Sequence, residues 1–450
     1  MLYRAERRPV SGSGLVAIAL LILAYAAISR RLSGTVITAA MVFVAGGILA
    51  SGEVLGWLAP TIGSSTVRWV AEATLTIVLF SDASRIDLAA LRREYVVPLR
   101  LLAIGLPLTI VVGALAGVAV LGELALIEAV LLAIVLAPTD AALGQAVVTD
   151  PRVPSRIRQG LNVESGLNDG ICVPLLLVAI AVAEAEEGAT GGGEAFRLLL
   201  EEVGYGCVGG VAAGLAAAVV IRVGLPRGLV DPIWAQVVPV AGAALAYGLA
   251  VWMHGSGFIA AFVGGAVFGA VRREVGGEVT IFLEQTGGVL GAVTFILFGA
   301  VMLVPMLDDL SVEIVVYALL SLTVVRMVPV ALALLGSGAR RPTVAFLGWF
   351  GPRGLASIVF AVILVEDSHL ANESLLLDTI FLTIGLSVLL HGVTATPLAA
   401  RYAAWFTAHP RDAATGFESA PAPIQHPHGW AAGLLERHRG DHDASTEPVS

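Results

Sequence analysis

Residues 160–174 read G-L-N-V-E-S-G-L-N-D-G-I-C-V-P, and they set two carboxylates, Glu164 and Asp169, inside an apolar run long enough to cross a bilayer. On a helix, Ser165 and Asp169 are four apart and share one face, while Glu164 and Asn168 share a second face about 100° away. Two polar faces on one buried helix need two partners. A carboxylate near a bilayer centre costs roughly 2.5–3.5 kcal/mol on insertion scales, so intramembrane acids read as functional residues by default.

The rest of the chain supports the membrane setting. Of 450 residues, 57% are hydrophobic and 14% charged, and the mean hydropathy is +0.89, far from the soluble pattern. Every basic residue other than histidine is Arg, and the net charge of -9 gives no reason to expect a nucleic-acid partner. Cys172 and Cys207 fall in apolar runs and read as packed thiols. About thirteen apolar runs approach the roughly 20 residues that a span needs. They lie near 14–29, 34–50, 67–82, 96–121, 124–149, 158–184, 198–222, 232–252, 257–271, 279–304, 311–336, 342–365 and 376–406.

Arginine placement tests this count, because an invented span would scramble the alternation of basic loops. Odd-numbered loops hold Arg30 and Arg31, Arg85, Arg92 and Arg93, Arg152, Arg156 and Arg158, Arg222 and Arg227, Arg272 and Arg273, then Arg340 and Arg341. Even-numbered loops carry acids such as Glu184, Glu186, Glu187, Asp308 and Asp309. Odd loops and the C-terminus are therefore expected in the cytoplasm and the N-terminus outside. Residues 1–13 read as a short tail. Residues from 407 onward read as a polar, disordered cytoplasmic tail carrying Pro410, Pro421, Pro423 and Pro427 and five His residues from His409 to His442.

Spans 5 and 12 are interrupted alike, by A-P-T-D at 137–140 and F-G-P-R-G at 350–354. Proline and glycine inside a span free backbone groups, which is tolerated where the segment is buried or lines a cavity. If the chain is six helices, a linker helix and six more, the two breaks hold equivalent places. The odd offset of seven inverts one half relative to the other, and paired breaks in an inverted repeat point to a transporter's central site. The expected fold is thus an all-α membrane protein of about thirteen transmembrane helices, two inverted six-helix repeats with broken helices 5 and 12. Glycines spaced by four, Gly206/Gly210/Gly214, Gly113/Gly117, Gly265/Gly269 and Gly287/Gly291, allow close helix packing. Packing within one monomer is favoured over a dimer interface.

The intramembrane candidates are Glu72, Asp140, Glu164 and Asp169, with one deep base, Arg326. Arg326 needs an acidic partner, and Glu164 or Asp169 is the natural choice, since guanidinium suits a carboxylate. The other acid is then free to hold a proton or a small cation. Asp140 sits at a break whose freed carbonyls supply the oxygen-rich shell that hard alkali cations prefer; the alternative is a helix cap after Pro138. Thr139 and Ser165 offer hydroxyls. Arg353 either offsets the negative end of a half-helix or faces water. His254 and His391 stand near loops and read as incidental.

The combination of A-P-T-D, E-S-x-x-N-D, the buried Arg and the W-x-G-x-R-G-like break resembles the monovalent cation/proton antiporters, specifically the bacterial NhaP-like branch that also contains the animal sodium/proton exchangers. The likeness runs from about 14 to 406. V-L-F-S-D-A-S-R-I-D-L-A-A-L-R and H-G-S-G-F-I-A-A-F-V-G-G share it. The resemblance implies that Asp169 carries the ion and the proton, with Asp140, Thr139 and Ser165 contributing to a Na+ site at Asp169 and Asp140. It also implies that Glu164 pairs with Arg326, and that Asn168 marks electroneutral exchange. Glu72 matches an acid near Asn168. Arg353 is carried as a supporting residue, although Pro352 stands where the family usually has no proline.

The implied protein is a secondary transporter rather than an enzyme. It needs no cofactor and exchanges Na+, K+ or Li+ for H+ in the inner membrane, as a homodimer. Core helices at about 96–184 and 311–406 would move against a scaffold made by the rest of 14–406. An organic-anion symporter of the same broken-helix architecture is the rival reading, but it would present bases to its substrate, and this centre is rich in acids.

Overall fold

The computed structural model describes residues 12–59, 65–86, 96–186, 192–272, 277–367, 370–409 and 417–418. The N-terminal Arg residues, Arg92, Arg93, Glu187, Arg273 and the tail residues from Pro410 on, other than 417–418, lie outside the described residues.

Single turns aside, fourteen helices are found among the described residues, with one isolated β-bridge between Ser51 and Leu58. In chain order they are α1 Gly12–Leu32, α2 Ala39–Ala50, α3 Ser65–Ser84, α4 Val96–Leu121, α5 Leu126–Leu136, α6 Ser155–Glu186 and α7 Gly192–Val219. Then come α8 Pro232–Trp252, α9 Gly257–Val271, α10 Ile281–Leu297, α11 Val312–Ala333, α12 Arg341–Trp349, α13 Leu355–Asp367 and α14 Glu373–Ala408. Eight of the helical segments are long and apolar enough to cross a membrane, and the chain is a multi-pass membrane protein. Burial sorts these helices: only 11% of the apolar window of α1 is covered by protein, against 67% for α14. α14 is therefore a central element and α1 a peripheral one.

Spacing by four places glycines on one helix face, and the structure shows what those faces touch. Gly206, Gly210 and Gly214 of α7 meet the backbone of Ser256, Ala260 and Gly264 on α9. Gly265 and Gly269 of α9 meet the backbone of Phe80 and Ser84 on α3, and Gly113 and Gly117 of α4 meet Ala133 and Ala129 on α5. The ladders thus cement α3, α7 and α9 into one block inside the monomer. A methyl group at Gly265 would run into the Phe80 carbonyl. Gly265→Ala is therefore expected to lower the melting temperature in detergent, by the equivalent of about 1–3 kcal/mol for overpacking. Gly248→Ala on α8, where no described residue lies within 4 Å, is the control and should be neutral or slightly stabilising.

Composition alone predicts disorder from 407, yet α14 runs to Ala408 and the two described tail residues are packed. Phe417 is buried and belongs to the apolar cluster that also holds Val147, Val153, Ile157, Phe346 and Tyr402, with the Arg156 guanidinium 4.9 Å over its ring and Arg156 Nη1 donating to its carbonyl at 2.8 Å. The buried Glu418 carboxylate accepts from Arg340 N at 3.0 Å and Thr343 Oγ1 at 2.7 Å, and Arg340 Nε lies 3.3 Å from its second oxygen. Burial acts to raise the Glu418 pKa, but these donors and the Arg340 charge outweigh it and hold the group below the ordinary glutamate value. A depressed carboxyl contributes stability above its unfolded pKa, about 4.3, and loses it as the pH falls through the folded value. Glu418→Gln should therefore melt at a lower temperature than the native protein at pH 7, with the difference shrinking below about pH 4. Thermal scans across that range check the sign.

Candidate functional site

Span 5 breaks because Pro138 has no N–H to continue the helical ladder. α5 stops at Leu136, and the carbonyl of Val135, freed at the break, accepts the Ser357 hydroxyl of α13 at 2.7 Å. Span 12 breaks between Trp349 and Leu355 around Gly351 and Pro352. The two breaks touch. Asp140 N donates to Pro352 O at 2.7 Å, and Asp140 Oδ2 accepts Leu355 N, the first amide of α13, at 3.0 Å. Oδ1 accepts Ala142 N at 2.8 Å. Asp140 therefore caps a helix, as one sequence alternative allowed, but the capped helix is α13 of the other break rather than its own.

α6 lies alongside as a splint. Ser165 Oγ donates to Thr139 O and accepts Ala141 N at 2.8 Å, and Asn168 Nδ2 donates to Thr139 Oγ1 at 2.7 Å. A small cavity at the crossing is lined by Thr139, Asp140, Gly144, Leu161, Ser165 and Pro352. Asp169 lies one turn further along α6 than Ser165, 6% exposed, and its Oδ1 has no hydrogen-bond partner among the described residues. Asp140 and Asp82 both act electrostatically on Asp169. A buried carboxylate oxygen with no protein donor, beside two further acids, is chemically suited to a proton or an alkali cation.

The second acid of α6 is committed. Arg326 Nη1 donates to Glu164 Oε1 at 2.6 Å, with both side chains 3% exposed. The helical spacing of α6 left open which acid would take Arg326; the fold presents Glu164, from the face that turns toward α11. The Arg326 guanidinium also lies where a Cβ of Gly351 would be, and the Asp140 carboxylate where a Cβ of Gly354 would be. Both glycines of the second break are thus required by charged groups passing close to the backbone. Arg353 is fully buried, which overturns the water-facing alternative. Its Nη1 donates to Gly351 O at 2.5 Å, at the carbonyl end of α12.

Other candidates fall elsewhere. Glu72 pairs with Arg68 at 2.7 Å, and ten residues, about 15 Å of helix, separate it from Asp82. Asp82, whose Cβ would be 3.4 Å from a Cβ on Gly166 of α6, is the α3 acid beside the site. Its signal was its place in S-D-A-S-R at the end of an apolar run. His254 occupies the turn between α8 and α9 with φ 64°. His391 is not near a loop: it is buried within α14. Cys172 is a buried free thiol and Cys207 a half-buried one. Sequence reasoning also passed over Glu128, which accepts Ala125 N, Asn372 N and Asn372 Nδ2 at 2.8–2.9 Å and so ties the start of α5 to the start of α14.

Residues 16–401 match the family described as sodium/hydrogen exchanger, transmembrane. The chain is 26% identical over 379 residues to the K(+)/H(+) antiporter NhaP of Alkalimonas amylolytica, a match covering 83% of this chain and 63% of that protein. It is 32% identical over 118 residues to a protein of Schizosaccharomyces pombe named "Probable Na(+)/H(+) antiporter C3A11.09", covering 25% of this chain and 16% of that one. The chain thus spans less than two thirds of the length of either relative. Among solved structures, the sodium proton antiporter MjNhaP1 of Methanocaldococcus jannaschii at pH 8 superposes with a TM-score of 0.69 at 20% identity, over 85% of this chain and 97% of that one. A second structure of MjNhaP1 gives 0.69 at 18% identity. The fold is that of MjNhaP1.

Proposed function

The chain belongs to the transmembrane sodium/hydrogen exchanger family, a transporter family and not an enzyme family, and on that premise we propose that it exchanges Na+ or K+ for H+ by alternating access. The observation that carries this reading is the Asp169 carboxylate, buried, with an oxygen that has no donor among the described residues, beside two broken helices joined through Asp140. Proton and cation compete for Asp169. Asp140, Thr139 and Ser165 shape the oxygen-lined approach, and the carbonyls of the breaks complete the shell of a hard cation. Na+ is the transported substrate and not a resident cofactor.

Competition for one acid sets the stoichiometry. If one cation displaces one proton from Asp169, each half-cycle carries a single positive charge, and a full cycle moves none net. Asn168 supports this by occupying the neighbouring position without a charge. Glu164 is held by Arg326 and is removed from the exchange.

Motion would divide the fold into a core of α4–α6 and α11–α14 and a scaffold containing the block of α3, α7 and α9. The halves are related as inverted repeats, with α5 and α12–α13 as their matching breaks. Odd loops and the C-terminus face the cytoplasm, the N-terminus lies outside, and the scaffold joins two copies into a homodimer. The test is reconstitution into proteoliposomes with an imposed pH gradient. Addition of Na+ or K+ should dissipate the gradient without generating a membrane potential. Dissipation that requires no cation, or none at all in active preparations, sinks the antiport reading; a potential that follows exchange sinks electroneutrality alone.

A further inference from the structure

The end of α12 and Arg353, within the second break, are tied to α14 through a hydrogen-bonded pair, His391 and Ser387, that the exchange chemistry does not use. His391 is 1% exposed. Its Nε2 lies 3.0 Å from the carbonyl of Trp349, the last residue of α12. Its Nδ1 lies 3.2 Å from Ser387 Oγ and 3.1 Å from Ser387 O. Ser387 Oγ accepts Arg353 N, within the break, at 2.6 Å. The imidazole stacks on the Trp349 indole with centroids 5.1 Å apart, and Trp349 Nε1 donates to Thr394 Oγ1 of α14 at 3.0 Å.

Nε2 faces only a carbonyl, which cannot donate, whereas Nδ1 faces the Ser387 hydroxyl as well as the Ser387 carbonyl; the neutral ring is therefore assigned its proton on Nε2, with the Nδ1 lone pair accepting the hydroxyl. The result is one continuous relay. Arg353 N–H donates to Ser387, Ser387 donates to His391, and His391 donates to Trp349 O. One end is the last residue of α12 and the other is Arg353, inside the Phe350–Gly354 break. The opposite side of the same segment is held by Asp140, through Pro352 O and Leu355 N. The break is therefore gripped between α14 and Asp140, and a shift of the α12 end would move the backbone that binds Asp140.

We propose that His391 is a positioning residue for cation exchange, holding the Phe350–Gly354 backbone in the register that presents Asp140 and the break carbonyls to the cation, and so setting cation affinity. The proposal rests on the antiport reading, and His391 itself touches neither the cation nor Asp169. Glutamine at 391 can donate to Trp349 O and accept from Ser387, whereas phenylalanine keeps the ring on Trp349 and loses both hydrogen bonds.

Apparent KM and Vmax for Na+ and for K+ are measured in proteoliposomes for the native protein, His391→Gln and His391→Phe. His391→Phe should raise the apparent KM about five- to tenfold, the size of one or two neutral hydrogen bonds, with Vmax per folded protein kept. His391→Gln should restore KM to within about twofold of the native value. A native KM in His391→Phe, or equal losses of Vmax and melting temperature in both variants with KM unmoved, overturns the proposal, since the ring would then only pack. If His391→Phe does not fold, Ser387→Ala cuts the same relay and should raise KM in the same direction. Hydrogen–deuterium exchange separates this proposal from the antiport reading: amides 350–355 should exchange faster in His391→Phe and not in His391→Gln, even in a protein that moves no cation. Equal exchange in the two variants overturns the clamp, while loss of native transport overturns only the antiport.

Discussion

Proteoliposomes carrying Asp169→Asn are expected to show no cation-driven proton movement above empty vesicles, while the purified variant melts at or above the native temperature. The two halves of this expectation have separate causes. An amide cannot take up or release a proton in the accessible pH range, and removing a full charge that faces a cation in a low-dielectric site should weaken cation binding about 100-fold or more. Folding should not suffer, because Oδ1 of Asp169 has no donor among the described residues to lose, and a neutral amide is cheaper to bury than a carboxylate. Retained exchange in Asp169→Asn would falsify the assignment of the carrier acid. A variant that failed to fold would contradict the orphaned geometry seen here. Asp140→Asn should behave differently: exchange falls and the melting temperature falls with it, because Asp140 Oδ2 caps α13 and Oδ1 holds Ala142 N.

The second large effect is on stability. Arg326→Ala leaves Glu164 buried and unpaired, and breaking a buried ion pair by removing one partner costs about 3–5 kcal/mol. The loss should appear as a sharp drop in melting temperature and in yield of monodisperse protein. Adding Glu164→Gln to Arg326→Ala should recover part of that loss, since the uncompensated charge is then gone. The Arg326 guanidinium also packs against Gly351, so full recovery is not expected. A melting temperature for Arg326→Ala equal to the native one would show that the pair holds nothing. A double variant no more stable than the single would place the cost in lost packing instead of stranded charge.

The helical membrane fold and the residues of the candidate site were legible because both leave local marks. A bilayer forces apolar runs of a set length, Arg alternates between loops, and Pro138 and Pro352 interrupt their helices wherever those helices end up. Acids in such runs are few enough to name. The same logic missed Asp82, which closes its span beside Arg85 and so looks like an ordinary helix exit. It read His391 as standing near a loop, although the apolar run of 376–406 brackets it and α14 continues to Ala408. It admitted Glu72, whose partner four residues earlier, Arg68, is an ordinary helical pair on the same face.

By itself, the amino-acid sequence determined that this chain spans a membrane many times, that two of its spans are broken, and that Glu164 and Asp169 lie on different faces of one helix about 100° apart. Those are properties of period, length and proline chemistry, all local. Only the tertiary structure decided which acid meets Arg326, which helix Asp140 caps, and that Arg353 and His391 are buried against the second break. Each of these depends on the rotation and height of one helix against another, set by close glycine contacts and by groups distant in the chain, from a separation of 34 for Arg353 and Ser387 to 162 for Glu164 and Arg326 and 215 for Asp140 and Leu355. No local period encodes that rotation.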